Sequence, residues 1–213
     1  MSESLLTQPW LSWAMQIQAI AQNGLAYCKN VYDIERYEQL REIAAEMLSH
    51  KTEIPKEKIK TLFCNEVGYQ TPKADTRAAI FKDDKILLVQ EADGRWSLPG
   101  GWVDIFETID SNTTKEVKEE AGLEVKTQFI IAIHSHHRHD NPVFPYSVFK
   151  TFVMCDLLGG EFTPNSETIA SNYFALNALP ELSKEKNSVE QIALCFEAYE
   201  YVKKQQIWQT QFD

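Results

Sequence analysis

The chain has 213 residues, of which 44% are hydrophobic and 24% charged, so it can bury a sizeable core and wholesale disorder is excluded. Lys and Arg total 21 against 31 Asp and Glu, a net charge of -10 that repels phosphate backbones and argues against general nucleic-acid binding. A small phosphorylated molecule is not excluded, because bound divalent cations reverse the local sign.

Residues 1–67 read as helical. Trp10, Trp13, Ala14, Ile17, Ile20 and Ala21 recur at the spacing of one helix face, with Gly24 as the expected stop. Asp33 is the expected N-cap of a second helix carrying Ile34, Tyr37, Leu40, Ala44 and Leu48, and Pro55 opens a short third one. The apolar stripe needs a surface to cover it, and a homodimer is expected. From Gly68 the period changes. Thr76–Phe81 and Lys85–Gln90 are predicted strands around a turn at Lys82-Asp83-Asp84, and Asp93-Gly94 makes another turn. Leu98-Pro99-Gly100-Gly101 is a loop. A helix is predicted from Asp110, its N-cap, to Ala121, with Gly122 as C-cap. Val125–Ile133 and Tyr146–Leu157 are predicted strands and Gly159-Gly160 a turn. Val189–Lys203 is a predicted helix with Val189, Ile192, Phe196, Tyr199 and Val202 on one side. This order predicts an α+β domain, residues 68–213, with a mixed sheet between helical layers, preceded by a small helical domain, residues 1–67.

Cys28, Cys64, Cys155 and Cys195 form no short pair and no metal frame. No basic start leads into an apolar run, and no stretch approaches the ~20 apolar residues that span a bilayer. A cytoplasmic protein with reduced thiols and no membrane partner is expected.

Chemistry concentrates in residues 101–123. Glu116, Glu119 and Glu120 stand at i, i+3 and i+4 of the predicted helix, so their carboxylates share a face. Such a cluster is either washed by water or neutralised by a cation, and hard oxygen ligands suit Mg²⁺ or Mn²⁺. The surroundings favour the cation. Gly101, Glu107, Glu116, Val117, Glu119, Glu120, Gly122 and Leu123 stand in register with G-x5-E-x7-R-E-U-x-E-E-x-G-U, where U is apolar. The segment resembles the Nudix hydrolase signature. The flanking TPKADTRAAIF, KILLVQE, WSLPGGWVD and NSETIASNYFALNALPELS, with the N-terminal helices, resemble one Nudix subgroup, described as ADP-ribose or CDP-choline pyrophosphatases.

That resemblance implies a Nudix-type α/β/α sandwich and Mg²⁺-dependent cleavage of a nucleoside diphosphate linked to another group: ADP-ribose to AMP and ribose 5-phosphate, or CDP-choline to CMP and phosphocholine. Glu116 and Glu120 would be the main metal ligands, with Glu119 a further ligand or base. The carbonyl of Gly100 or Gly101 would add another ligand. Lys115 stands where the family usually has arginine, the residue implied to hold Glu107, and lysine offers a point charge in place of a planar fork. Glu167 matches a position that could supply a further ligand or base. Among other candidates, Arg77 meets the substrate phosphate or pairs with Asp75, the former being favoured because arginine suits phosphate. Trp102 could stack on a base, whereas Trp96 is expected in the core. His134, His136, His137 and His139 crowd one strand end, as solvated histidines, a substrate contact (His136) or a metal site. The alternatives are a non-catalytic nucleotide-binding module and a Nudix enzyme that removes oxidised nucleoside triphosphates.

Overall fold

The structure, a computed structural model, describes residues 9–52, 54–64, 66–139 and 147–213, with the side chains of Leu62, Phe63, His137 and Arg138 outside that description. The expected strand start at Tyr146, the reading of the first eight residues and the role of His137 therefore lie outside the described residues. The chain divides into two compact units between Pro72 and Lys73.

The first unit holds three helices, α1 (Pro9–Tyr27), α2 (Val31–Thr52) and α3 (Lys56–Phe63). Their core is Leu11, Ala14, Ala44, Ala45, Leu48 and Ile59, with Trp10 and Ile17 packed against it. Three of these are alanines, which allow close approach of helix backbones. The buried face of α1 is Leu11, Ala14, Gln18, Ala21 and Gln22, so the predicted stripe is only partly right. Trp13 and Ile20 are 57% and 58% exposed. Gly24 does not stop α1. A Cβ there would lie 2.4 Å from the Tyr37 ring, so the glycine is a packing contact and the helix runs on to Tyr27. Asn30, not Asp33, caps α2, its side-chain oxygen accepting from the backbone N–H of Tyr32 at 2.9 Å. Gln22 donates to the Gly68 carbonyl at 3.0 Å and Asn23 accepts from the Gln70 N–H at 2.8 Å. These bonds hold residues 68–70 to the helices, so the division falls a few residues after the predicted 67.

In the second unit, β1 (Lys73–Lys82) and β2 (Lys85–Glu91) form a hairpin through Asp83 and Asp84. Both aspartates have positive φ, 51° and 56°, the backbone a two-residue turn needs to match strand twist. The remaining elements are β3 (Trp96–Ser97), α4 (Ile109–Ala121), β4 (Leu123–Ser135), α5 (His136–His139), β5 (Val148–Gly160), β6 (Thr168–Phe174), α6 (Val189–Lys203) and β7 (Gln211–Phe212). The sheet order is β3-β2-β1-β5-β4-β7, with β6 also paired to β2. β1 runs parallel to β5 and the β4–β5 pair is antiparallel, which makes the sheet mixed as predicted. Gly159 and Gly160 are not a turn but the end of β5, paired with Glu124 and Leu123.

One sheet face packs Ala78, Ile80, Leu87 and Val153 against Val117 and Ala121 of α4. The other packs Ala79, Leu88, Phe152 and Met154 against Ile192, Cys195 and Ala198 of α6. This is the expected α/β/α sandwich. In α6 the buried residues are Gln191, Ile192, Cys195 and Ala198, with Phe196 and Tyr199 packed alongside, while Val189 and Val202 are exposed, contrary to the predicted face.

Candidate active site

The site is built where α4 meets the loop after β3. Thr108, not Asp110, is the N-cap of α4: its side chain accepts from the Ser111 N–H, and Ser111 answers onto the Thr108 N–H. Gly122 ends the helix as predicted, with φ 69°. Between these caps the helical period brings Glu116 and Glu120 to the side facing the glycine loop. Glu116 is half-buried, Glu120 is 5% exposed, and Glu119 points to solvent.

The loop is tied to strand β1. The Thr76 N–H donates to the Gly101 carbonyl at 3.0 Å and the Ala78 N–H to the Pro99 carbonyl at 2.8 Å. Asn112 of α4, buried, donates to the Thr76 hydroxyl at 2.8 Å. Gly100 has φ 145° and its N–H donates to Glu120 at 2.8 Å. A Cβ on Gly101 would stand 2.7 Å from a Glu116 carboxylate oxygen. The loop backbone therefore touches both carboxylates, and only residues without side chains allow that approach. Because the Gly101 carbonyl already accepts from Thr76, the Gly100 carbonyl is the better of the two expected ligands.

Burial raises the Glu120 pKa to about 7, against the opposing pull of Arg77, the Gly100 N–H and Lys186. Burial also raises Glu116, against the pull of Lys115. Both carboxylates are thus taken out of water with incomplete compensation, the condition a bound cation relieves. Among the described residues no three His, Cys, Asp or Glu side chains converge into a ready-made cage. Two carboxylates with main-chain and substrate oxygens suit Mg²⁺, which keeps several waters and rarely takes an all-protein shell.

Two predicted partnerships are replaced. Arg77 is 4% exposed and forks onto Asp75 at 2.9 and 2.6 Å, with a longer contact to the Leu98 carbonyl at 3.4 Å. Burial works against its charge, but Asp75 outweighs it and the Arg77 pKa is raised. The favoured phosphate contact therefore gives way to the ion pair. Lys115 holds Asp104 at 2.5 Å and stands 3.5 Å from Glu116, while Glu107 accepts from the Ser111 hydroxyl. The expected Lys115–Glu107 pair is absent among the described contacts, because Ser111 lies one helical turn from Glu107 on the same side.

His136 is buried, not open to substrate, and His134 stacks on His139 at 3.8 Å. His139 meets Asp213 at 2.7 Å, so this end of β4 is tied to the chain's last strand. Trp96 packs edge-on against Phe174 at 4.8 Å, as expected for a core residue. Trp102 is exposed.

Glu167 lies on the loop before β6. Asn165 accepts from its N–H and donates to the Glu119 carbonyl at 2.9 Å, while Thr168 donates to the Glu120 carbonyl at 2.6 Å. That loop is thereby docked on the end of α4. Glu120 and Glu167 line one cavity of about 390 Å³ with Glu91, Ala92, Asp93 and Lys186. Glu91, Asp93 and Lys186 were not identified from the sequence as site residues; of the three only Asp93 was singled out, as part of a turn.

Residues 72–195 match the NUDIX domain, and residues 8–63 match a domain described as "UDP-X-like, N-terminal oligomerisation domain". A crystal structure of an ADP-ribose pyrophosphatase from Streptococcus suis 89-1591 is 55% identical over 67% of this chain and 100% of that chain, with a TM-score of 0.61. A crystal structure of a UDP-X diphosphatase is 30% identical over 97% of this chain and 99% of that chain, with a TM-score of 0.62. YjhB of Bacillus subtilis (strain 168), provisionally named an ADP-ribose pyrophosphatase, is 40% identical over 93% of this chain and 96% of that protein. Identity at that level across nearly both whole chains, together with a domain match that includes every box glutamate, means that the chain belongs to the Nudix hydrolases and is an enzyme of that family.

Proposed function

We propose that the protein hydrolyses the pyrophosphate bond of a nucleoside diphosphate linked to a second group, with Mg²⁺ as cofactor and ADP-ribose as the leading substrate. The observation that carries this reading is the pairing of Glu116 and buried Glu120 against a glycine loop whose backbone reaches both. Glu116, Glu120 and the Gly100 carbonyl would hold Mg²⁺, and Mn²⁺ would fit the same oxygen donors. When bound, the cation neutralises the diphosphate and lowers the pKa of an attacking water. Glu167, which lines the same cavity as Glu120, would take that water's proton, and Trp102 is exposed beside the loop to stack on a base. Glu119, at the solvent edge, would act only at the rim of the site. Intact box glutamates argue against a non-catalytic module.

ADP-ribose leads because the Streptococcus suis structure with that activity in its name is 55% identical. A UDP-linked substrate is the second reading, supported by the UDP-X diphosphatase that matches almost end to end. A panel of ADP-ribose, UDP-glucose, CDP-choline, NADH and nucleoside triphosphates, each incubated with Mg²⁺, should release phosphomonoester from ADP-ribose fastest. Release from triphosphates alone, or from none of the panel, would overturn the proposal.

We further infer a homodimer formed through the helical unit. Support comes from the described role of the matching N-terminal domain and from the exposed Trp13, Ile20, Val31 and Tyr32 on α1 and α2. Replacing Trp13 and Ile20 together by aspartate should halve the particle mass in light scattering. An unchanged mass would remove these residues from the interface. Four free cysteines, two of them buried, support a cytoplasmic setting with reduced thiols.

A further inference from the structure

The Asp75 ion pair leaves the proposed site without the cation that the sequence favoured for the substrate phosphate. Arg77 is buried in that pair, Lys115 holds Asp104, and Lys118 lies 3.3 Å from Glu124. The cavity beside Glu120 has one basic residue in its lining, Lys186, against Glu91, Asp93, Glu120 and Glu167. Its ammonium lies 2.7 Å from Glu91, and both side chains keep about a quarter of their surface open (29% and 26%). It is also among the charges whose field reaches Glu120.

The loop that carries Lys186 is held independently of that ion pair. The buried Lys150 ammonium donates to the carbonyls of Glu185 at 2.6 Å and Lys186 at 2.7 Å. Asn187, buried, accepts from the Leu98 N–H at 2.8 Å, which fastens the loop to the residue just before Pro99 and Gly100. The Ser183 N–H donates to the Trp96 carbonyl at 2.8 Å, and the Trp96 N–H to the Glu181 carbonyl at 2.9 Å. Glu91 is held from its own side, where the Glu91 N–H donates to the Arg95 carbonyl at 3.0 Å. The Lys186–Glu91 contact is therefore not needed to locate either loop. It presents an ammonium on the wall of the cavity that Glu120, the proposed metal ligand, also lines.

We propose that Lys186 is a substrate-contacting residue that binds a non-bridging oxygen of the diphosphate, exchanging Glu91 for phosphate when substrate enters. This rests on the pyrophosphatase reading above and names the protein cation that reading lacks. A compact ammonium on a flexible stem suits a charge that must change partners, whereas the fork of Arg77 is locked. Glu91 keeps the ammonium oriented in the free enzyme and screens it from the other carboxylates.

The test compares Lys186→Met, Lys186→Arg and Glu91→Gln in the full chain. Both Lys186→Met and Glu91→Gln break the same ion pair, so a purely structural pair predicts equal effects. Contact with substrate predicts divergence. Lys186→Met should raise KM for ADP-ribose about tenfold, the size of one lost charge-assisted contact, with Lys186→Arg recovering most of it. Glu91→Gln should leave KM unchanged or lower it, because the ammonium no longer has a competing carboxylate. Titration calorimetry with methylenediphosphonate and Mg²⁺ gives the same comparison without turnover. It should show about tenfold weaker binding for Lys186→Met alone. Equal effects of Lys186→Met and Glu91→Gln in either measurement, or no binding of the probe to the parent, would overturn the assignment. Failure of the parent on the whole substrate panel, with divergent probe binding, would instead reject the pyrophosphatase reading and keep Lys186 as a phosphate contact.

Discussion

Glutamine at position 120 should lower Mg²⁺-dependent turnover by at least ~10²-fold, the scale of removing one preorganised electrostatic group, and yet make the metal-free protein more stable above neutral pH. Glu120 is almost wholly buried, and its carboxyl is pushed up to about 7 from an ordinary value of 4.5. A carboxyl raised in the folded state binds its proton more tightly there than in the unfolded chain. The folded protein therefore loses stability as pH rises from about 4.5 to about 7, and the loss is complete above that window. The shift corresponds to ~3 kcal/mol, as an order of magnitude. Glutamine keeps the shape and can still accept the Gly100 N–H, but carries no charge. Thermal melts in chelator at pH 5 and pH 8 should show a fall for the parent that Glu120→Gln lacks. Mg²⁺ should restore stability at pH 8 to the parent only. Glu116→Gln should lose turnover similarly, with a smaller stability effect because Glu116 is only half-buried. Identical pH dependence of melting in parent and Glu120→Gln would refute the buried-carboxylate account. Near-normal turnover of both variants would refute the catalytic face itself.

Alanine at position 100 should be as damaging to activity and far worse for the fold. The added Cβ would fall 1.9 Å from the Thr76 carbonyl oxygen, and φ 145° is a conformation that side chains resist. That neighbour is backbone within the sheet and cannot step aside. The loop must move instead, weakening the Thr76–Gly101 and Ala78–Pro99 bonds and the N–H that reaches Glu120. A loss of a few kcal/mol, about 2–4, with turnover down ~10²-fold or more is expected, measured by urea unfolding and by the ADP-ribose assay. Gly101→Ala gives the contrast. Its Cβ would meet the Glu116 carboxylate, the mobile end of a side chain. It should unfold near the parent's midpoint but need more Mg²⁺ for half-maximal rate. Equal urea midpoints for the parent and Gly100→Ala would show that the loop does not require glycine there.

Position along the chain determined much of this molecule. Glu116 and Glu120 could be placed from spacing alone, because the helical period is local and puts residues four apart on one side; Glu119, expected on the same face, turns to solvent instead. Gly122 as C-cap and the Asp83-Asp84 turn follow from backbone preferences that need no distant partner. The caps at Thr108 and Asn30 were misassigned to nearby aspartates, because several residues in a row can cap a helix and the choice depends on where the first turn is packed.

Tertiary structure decided the partners of the charges. Arg77 and Asp75 are two residues apart on a strand, so either reading of the arginine was open, and sheet burial on that face closed it in favour of the pair. Lys186 and Asn187 sit in a stretch of ordinary loop polarity. They reach the site because Asn187 binds Leu98, 89 residues earlier in the chain. Likewise β7 pairs with β4 far upstream, a short edge strand with no local signal of its own. A local pattern records which face a residue occupies within its own element. Which charges share a cavity is set by how elements distant in sequence pack around the sheet, and burial then fixes which of those charges must pair.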